Sequence, residues 1–585
     1  MTARPRSSSI PFSWARTLLA GAASLAVTGA LIACGGGSAG DSRETAQTLP
    51  VGVGGGRPVT GLTLARLGSW QSGGGNGASE IPAYDPGTRR VFVVNGALGT
   101  VEVLDLSDPS APTLVQTLAT ASFGPGLGGA NSVAVKDGLV ALAIEAQPKT
   151  RPGVVVLLDA RTLALVSTVE VGALPDMLTF TPDGKFLLVA NEGEPSAYNT
   201  GDAADDPEGS VSLIDVRKPS EPVVRSVDFR AFNARKAELQ AAGVRLYGPG
   251  ASVAQDLEPE SIAVSPNGKT AWVTLQENNA LAVIDLLSAT VTDIKPLGWK
   301  DFSREGYGLD LSDEDAGTDT NSGTPRINIA PQPVRGLYLP DGIASYQVNG
   351  KTFLVTANEG DARADWPGFN EETRVREHCS AGGLDPAVFG PDAARLLRDS
   401  NLGRLRITNT PNGHDSGKNA AGQCQALYAF GGRSFSIWDA EGRQVYDSGD
   451  ALERITRDAA AALAADPASP YAFRFNTSHD NDSLDGRSPT KGPEPEGVVI
   501  GTFGGRSFAF VGLERVGGIA VFDISDPAAP VFADYLNTRN GLTGDRGPEG
   551  LALVKVEDSP TGEPLLIVGH EVSGTTVVYR IALRY

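Results

Sequence analysis

Short apolar runs of four to six residues, broken by polar turns, recur along the chain from residue 60 onward. The clearest unit lies between Pro175 and Asp215, where Pro175-Asp176 leads the run Met177-Leu178-Thr179-Phe180. Pro182-Asp183-Gly184-Lys185 follows. Proline presets φ and glycine accepts positive φ, so these residues predict a tight turn between strands. Phe186 to Ala190 is the second predicted strand and runs into Asn191-Glu192-Gly193, while Ser210 to Ile214 is the third and ends at Asp215.

The unit repeats. Pro259-Glu260 precedes Ser261 to Val264, and Pro266-Asn267-Gly268-Lys269 turns the chain. Thr270 to Leu275 then reaches Gln276-Glu277-Asn278, and Ala280 to Ile284 ends at Asp285. Further units start at Pro340-Asp341, Pro495-Glu496 and Pro548-Glu549, with weaker ones near Glu80 and Asn131. Their second strands lead to Asn358-Glu359, Glu514, His570-Glu571, Asn95 and Glu145 respectively. One small sheet cannot bury both faces alone, so the seven units must stack around an axis.

Leu163 to Val169 and Val291 to Leu297 predict a fourth, outer strand, but the last unit ends at Tyr585 without room for one. Thr60 to Leu67 can supply it, closing the ring and protecting its edges. The predicted fold is therefore all-β: a seven-bladed β-propeller over residues 60–585. Two β-sandwiches are the alternative, but they give no reason for matched Pro-acid starts.

Two long polar excursions, residues 299–335 and 366–425, depart from the blade period. The first separates two blades. The second interrupts one blade, whose third strand resumes at Ser434 to Trp438 and ends at Asp439. Asp392 to Arg398 and Arg457 to Ala465 predict short helices, and both excursions are expected to cover one end of the ring.

The first 59 residues have a different character. Arg4, Arg6 and Arg16 accompany the charge-free stretch Thr17–Ala33, and Leu31-Ile32-Ala33-Cys34 resembles a bacterial lipobox. Residues 1–33 are thus expected to be a lipoprotein signal peptide, Cys34 the lipidated first residue, and 34–59 a flexible Gly-rich tether. An uncleaved transmembrane helix is the alternative, although about 17 residues is at the lower edge of a span. Gly35 rather than Asp follows the cysteine. That is the sorting pattern of an outer-membrane lipoprotein, either periplasmic or surface-exposed. The remaining pair, Cys379 and Cys424, is expected to form a disulfide in an oxidising compartment, clamping 44 intervening residues.

Charge narrows the partners. The chain carries −20, and loss of the leader's three arginines takes it to −23. Such a surface repels nucleic acid and attracts cations. With 71 glycines, 39 prolines and only 6% aromatic residues, the composition suits many strands joined by turns.

In a propeller the innermost strand runs along the channel, so its start and the loop after the second strand share one end. Asp176, Glu260, Asp341, Glu496 and Glu549 are thereby expected to form one ring of acids. Glu145, Glu192, Glu277, Glu359, Glu514 and Glu571 form a wider one. Like charges at one mouth must be protonated, paired or neutralised by a cation, and Arg363 and Arg515 are available to pair some. Carboxylates with few histidines or thiolates favour Ca²⁺, or Mg²⁺/Mn²⁺, over zinc or copper. The alternative is that each acid caps a turn within its own blade.

Two acidic clusters, Asp310, Asp313, Asp315 and Asp319 around Gly317, and Asp480, Asp482 and Asp485 before Gly486, invite comparison with calcium loops but lack EF-hand spacing. His378, His414, His479 and His570 show no HxxxH or HxH pair, so a catalytic zinc centre is not expected. GxSxG and P-loop motifs are absent from the sequence.

Several motifs in order carry a resemblance over about residues 60–585. They are Asn191-Glu192-Gly193-Glu194-Pro195, Asp206-Pro207-Glu208-Gly209-Ser210-Val211, Gly308-Leu309-Asp310 and Asn358-Glu359-Gly360-Asp361-Ala362-Arg363. Lys491-Gly492-Pro493-Glu494-Pro495-Glu496-Gly497, Gly512-Leu513-Glu514-Arg515 and Glu571-Val572-Ser573-Gly574-Thr575-Thr576 follow. Together they resemble the choice-of-anchor I proteins, a family similar to echinoderm mesenchyme-specific cell-surface glycoproteins. Carried over by residue, the resemblance marks Glu192, Asp361, Glu496 and Glu514 as motif members. His570 departs from it, standing where Asn191 and Asn358 imply Asn.

The function expected is an exported, lipid-anchored propeller that binds calcium or a similar divalent cation and serves a binding or scaffold role at the cell envelope. Its expected partners are the membrane, the cation, and a phosphorylated or protein ligand, but not nucleic acid. Some bacterial family members carry an alkaline-phosphatase label, making a metal-dependent phosphoric-ester hydrolase the alternative. A purely structural protein–protein platform ranks third.

Overall fold

The computed structural model describes residues 58–198, 205–316, 323–364, 366, 368–410 and 416–585. The expected signal peptide, Cys34, most of the expected tether, Gly317, Asp319 and His414 lie outside them.

Seven four-stranded antiparallel sheets make up the ring among the described residues. Pro175–Phe180, Phe186–Asn191, Ser210–Asp215 and Val223–Asp228 form the third sheet along the chain. Its first turn forms as the local chemistry requires: Gly184 adopts φ +68°, and its N–H donates to the Thr181 carbonyl at 2.8 Å. Thr270–Leu275 and Ala280–Asp285 repeat the pattern in the next sheet, with Thr290–Pro296 as its outer strand. The innermost strands touch one another in cyclic order, the last meeting the first. The fold is a β-propeller.

The ring closes with a strand from the other terminus. Gly61–Gln71 pairs antiparallel with Thr575–Arg584, Gly61 opposite Arg584 and Gln71 opposite Thr575. Middle strands are buried on both faces, which is why they read as near-continuous apolar runs. Leu188 and Val211 of one sheet, for example, share a core with Val273 and Ile284 of the next. Each such side chain contributes about 1.5–3 kcal/mol on burial.

The two excursions fold together. Trp299–Asp301, Arg335–Leu337, Tyr428–Phe430, Arg406–Thr408 and Glu372–Arg374 join in one five-stranded sheet. Phe302 and Leu309 from the first excursion share a core with Val375, Leu384, Leu402 and Ile407 from the second. The Cys379–Cys424 disulfide lies in that core, its Cα atoms 5.8 Å apart. These two excursions build a single small capping unit.

The expected helix at 392–398 shortens to Ala393–Leu396, while the one at 457–465 starts earlier and spans Ala451–Ala465. Leu452, Thr456 and Ala460 form the longer helix's buried stripe. Among the described residues, no helix is long and apolar enough to cross a membrane.

Candidate metal centre

The Pro-acid starts work through a shared irregularity. Pro175, Pro259, Pro495 and Pro548 lie opposite the last residue of their second strands, Asn191, Leu275, Leu513 and His570. Pairing then slips, resuming at Leu178, Ile262, Val498 and Leu551. Such a bulge leaves the acid unpaired and re-aims its side chain.

Neighbouring blades pack tightly at this level. A Cβ on Gly342 would stand 2.4 Å from the Glu496 carbonyl oxygen, and one on Gly497 2.2 Å from that of Glu549. One on Gly550 would stand 2.8 Å from that of Glu80. The glycines after Asp341, Glu496 and Glu549 thus let the next blade's acid-bearing backbone approach.

A cavity of about 580 Å³ opens at this end. Asp176, Glu192, Glu260, Glu277, Asp341, Glu359, Asp361, Glu496, Glu514 and Glu549 all line it. Glu571 and Glu145 are not part of its wall, where the second blade contributes Asn131 instead. Glu571 joins the group through His479, whose Nδ1 lies 3.2 Å from Glu514 and 4.0 Å from Glu571.

Inside the cavity the acids divide by their company. One oxygen from each of Asp176, Glu192 and Glu260 lies within 4.8 Å of the others. None of the three forms an ion pair with a described lysine, arginine or histidine. Burial first, then neighbouring carboxylates, pushes Asp176 up to about 7 and holds Glu192 and Glu260 well above the usual range.

Asp341, Glu359 and Glu496 form a second triad of the same spacing. Here Lys491 approaches Glu359 at 3.4 Å, Gln276 donates to Glu359 at 2.8 Å, and Ser261 donates to Asp341 at 3.1 Å. Burial still raises Asp341 to about 6 and Glu359 to about 8.

The third group, Glu359, Glu494 and Glu514, is the cationic side of the mouth. Arg515 reaches Glu494 and Glu514 at 3.1 Å each, and Arg487 Nε donates to Glu494 at 2.9 Å. Burial alone would raise Glu494, but Arg487, Lys491 and Arg515 outweigh it and bring that carboxyl down to about 2. By contrast, Glu277, Glu496 and Glu549 each keep a buried oxygen without a hydrogen-bond partner among the described residues.

Arg363 acts from beneath the mouth. It is fully buried, pairs with Asp256, reaches Glu258 of the cavity wall at 3.2 Å, and its charge lowers Glu277 of the wider ring against the effect of burial. Its guanidinium also lies 4.6 Å from the Tyr247 ring centre. Glu258, Glu194, Lys491, Glu494 and His479 are site residues that the repeat did not reveal. Lys491 and Glu494 stand in a motif already visible in the sequence, but outside the blade period.

The His570 departure has a structural reason. Asn191 and Asn358 donate to Ser212 at 3.0 Å and Ser436 at 2.9 Å, tying the second strand to the third. His570 makes the equivalent tie, with Nε2 3.2 Å from the Tyr579 hydroxyl. Burial pushes its imidazole down to about 4.

Likeness to known proteins is clearest in sequence. A mesenchyme-specific cell surface glycoprotein of Strongylocentrotus purpuratus is 26% identical over 405 residues, 61% of this chain and 49% of that protein. Gigasin-3a of Magallana gigas is 28% identical over 200 residues, 32% of this chain and 66% of that protein. The aligned regions thus span about half of the first relative and less than two thirds of the second.

Among solved structures, hydrazine synthase of Kuenenia stuttgartiensis gives a TM-score of 0.43 at 13% identity, covering 87% of this chain and 97% of that one. The Cps50 (Swd1) β-propeller domain of Myceliophteria thermophila gives 0.40 at 10% identity, covering 88% and 99%. The choice-of-anchor I family model matches residues 80–527, and the protein belongs to the choice-of-anchor I family.

Proposed function

We propose that this protein is an exported, lipid-anchored propeller that holds Ca²⁺, or Mg²⁺/Mn²⁺, at its mouth and serves a binding or scaffold role at the cell envelope. The carrying observation is the Asp176–Glu192–Glu260 triad: three converging carboxylates with no ion-paired cation of their own among the described residues. Such oxygen-only donors suit a hard divalent cation. The unpartnered oxygens of Glu277, Glu496 and Glu549 add further acceptors in the same cavity.

A cation there would offset most of the triad's charge and offer its remaining coordination positions to an oxygen of an acidic protein or phosphorylated ligand. Cys34 supplies the expected lipid anchor and outer-membrane setting. The sea-urchin relative is named for the cell surface, which supports an exported setting.

Calorimetric Ca²⁺ titration of the mature chain tests the site. Asp176→Asn and Glu260→Gln are each expected to weaken binding by at least about tenfold, a loss of about 1.4 kcal/mol. Wild-type titration in both variants overturns the proposal. The hydrolase alternative ranks second because Lys491 and Arg515 are engaged by carboxylates and Arg363 is buried. Ca²⁺-dependent turnover of an aryl phosphate, abolished by Glu359→Gln, would reverse that order.

A further inference from the structure

The chain enters the ring at the end away from the acids. Thr60 donates its N–H to the Arg584 carbonyl at 2.7 Å, and Arg506 Nη1 donates to the Thr60 carbonyl at 2.9 Å. Val59 is buried in one core with Phe503 and Phe508 of the sixth blade. From there Gly61–Gln71 climbs until Gln71 stands opposite Thr575, whose partner on its other side is His570 at the mouth end. The described chain thus begins at the pole opposite the mouth, held there by two blades.

We propose that this pole rests on a lipid bilayer, so that the acidic mouth faces away from the membrane. The inference rests on lipidation of Cys34, which stands about 24 positions before Pro58 in the sequence. A stretch of that length spans at most about 85 Å when fully extended. It ties this pole to the membrane without deciding which surface of the ring meets the lipid. The exposed side chains decide that.

Leu114, Leu165, Val223, Val531 and Phe532 stand at the starts of outer strands, beside the ends of the third strands. Leu287 lies in the turn between the paired residues Asp285 and Thr290. In every blade this is the end opposite the acid: in the third, Pro175, Asn191, Ser210 and Asp228 pair across the mouth end, and Asp215 pairs with Val223 at the other. Val223 is 62%, Val531 61% and Leu287 87% exposed.

A single exposed apolar side chain needs no partner. These six come from five blades yet share one pole, so they ring it instead of lining a groove. A protein partner of ordinary footprint meets a contiguous patch, whereas a plane meets a ring. The plane at hand is the bilayer that carries the anchor. With a net charge of −20 the chain is not drawn to anionic headgroups, which leaves apolar contact as the attraction.

The test uses the acylated protein on phosphatidylcholine vesicles whose acyl chains carry a nitroxide quencher. Because Cys379 and Cys424 are joined and Cys34 is acylated, one fluorescent label can be placed on Leu287→Cys, Val531→Cys or Leu98→Cys. Leu98, in the short turn after Asn95, is the control: it is apolar and 56% exposed, but at the mouth end. Labels at 287 and 531 are expected to lose most of their fluorescence, and the label at 98 to keep it. Quenching that does not favour 287 and 531 over 98 overturns the proposal. Failure of the protein to sediment with the vesicles overturns the lipidation reading, and this inference with it. Ca²⁺ titration of the same vesicles reports on the mouth independently.

Discussion

Lys491 Nζ lies 2.7 Å from Asp361 Oδ1, and the same ammonium reaches Glu359 and Glu494 at 3.4 and 3.7 Å. It is the internal counterion of one side of the mouth, which the Asp176 side lacks.

Replacing Lys491 by Met therefore has two expected effects. Without metal the variant loses about 2–3 kcal/mol, less than a fully abandoned buried pair because Arg487 and Arg515 still serve Glu494. With saturating Ca²⁺ its melting temperature rises more than that of wild type, because the Asp341–Glu359–Glu496 triad is freed for a cation. Equal Ca²⁺ gains in the two proteins would show that Lys491 does not compete with metal.

Stability should depend on pH with a definite sign. Asp176, Glu277 and Asp341 stand at about 7, 7 and 6, and Glu359 at about 8, all raised chiefly by burial. The folded chain thus binds more protons than the unfolded one across this range, so stability falls as pH rises from about 4 to about 8. Thermal melts in EDTA are expected to show that fall, and saturating Ca²⁺ to flatten it while binding releases protons. A flat profile in EDTA contradicts this account.

Gly497 tests the close approach of the blades. Its Cβ would meet the Glu549 carbonyl at 2.2 Å and Leu551 Cδ1 at 2.6 Å, so Gly497→Ala is expected to cost about 2–3 kcal/mol. Gly61, with nothing within 4 Å of its Cβ position, is the control, and its alanine variant should stay within about 0.5 kcal/mol. Chemical denaturation of the two variants measures both.

The disulfide should act on the capping unit first. Cys379 and Cys424 are 45 residues apart, so the chain-entropy account gives about 4 kcal/mol for the closed loop. Reduction, or the double alanine variant, is expected to speed proteolysis within residues 366–425 while the blades keep their far-ultraviolet signature. Simultaneous loss of both would mean that cap and ring unfold as one unit.

The blades were legible because a two-residue side-chain period and a Pro-acid start repeat with each turn of the ring. Asp176, Glu260, Glu496 and Glu549 could be placed at one end by counting alone. The residues that neutralise the mouth were hidden for the converse reason. Lys491, Glu494 and His479 sit in non-repeating connections, where no period carries them. Glu145 occupies a position that the period marks, yet it is not in the cavity wall.

The capping sheet was illegible for a related reason. Its strands are three residues long, and Arg335–Leu337 finds its parallel partner in Tyr428–Phe430, far along the chain. Short strands with distant partners leave no alternation to read. Phe302, Val375 and Ile407 look like isolated apolar residues until all three meet in one core.

Pairing of Gly61–Gln71 with Thr575–Arg584 also imposes an order on biosynthesis. The earliest ring strand to leave the ribosome must wait, without its partner, until Thr575–Arg584 has been made about five hundred residues later. A message truncated before Thr575 therefore leaves two unsealed edges, and its product would call on chaperones rather than close on itself.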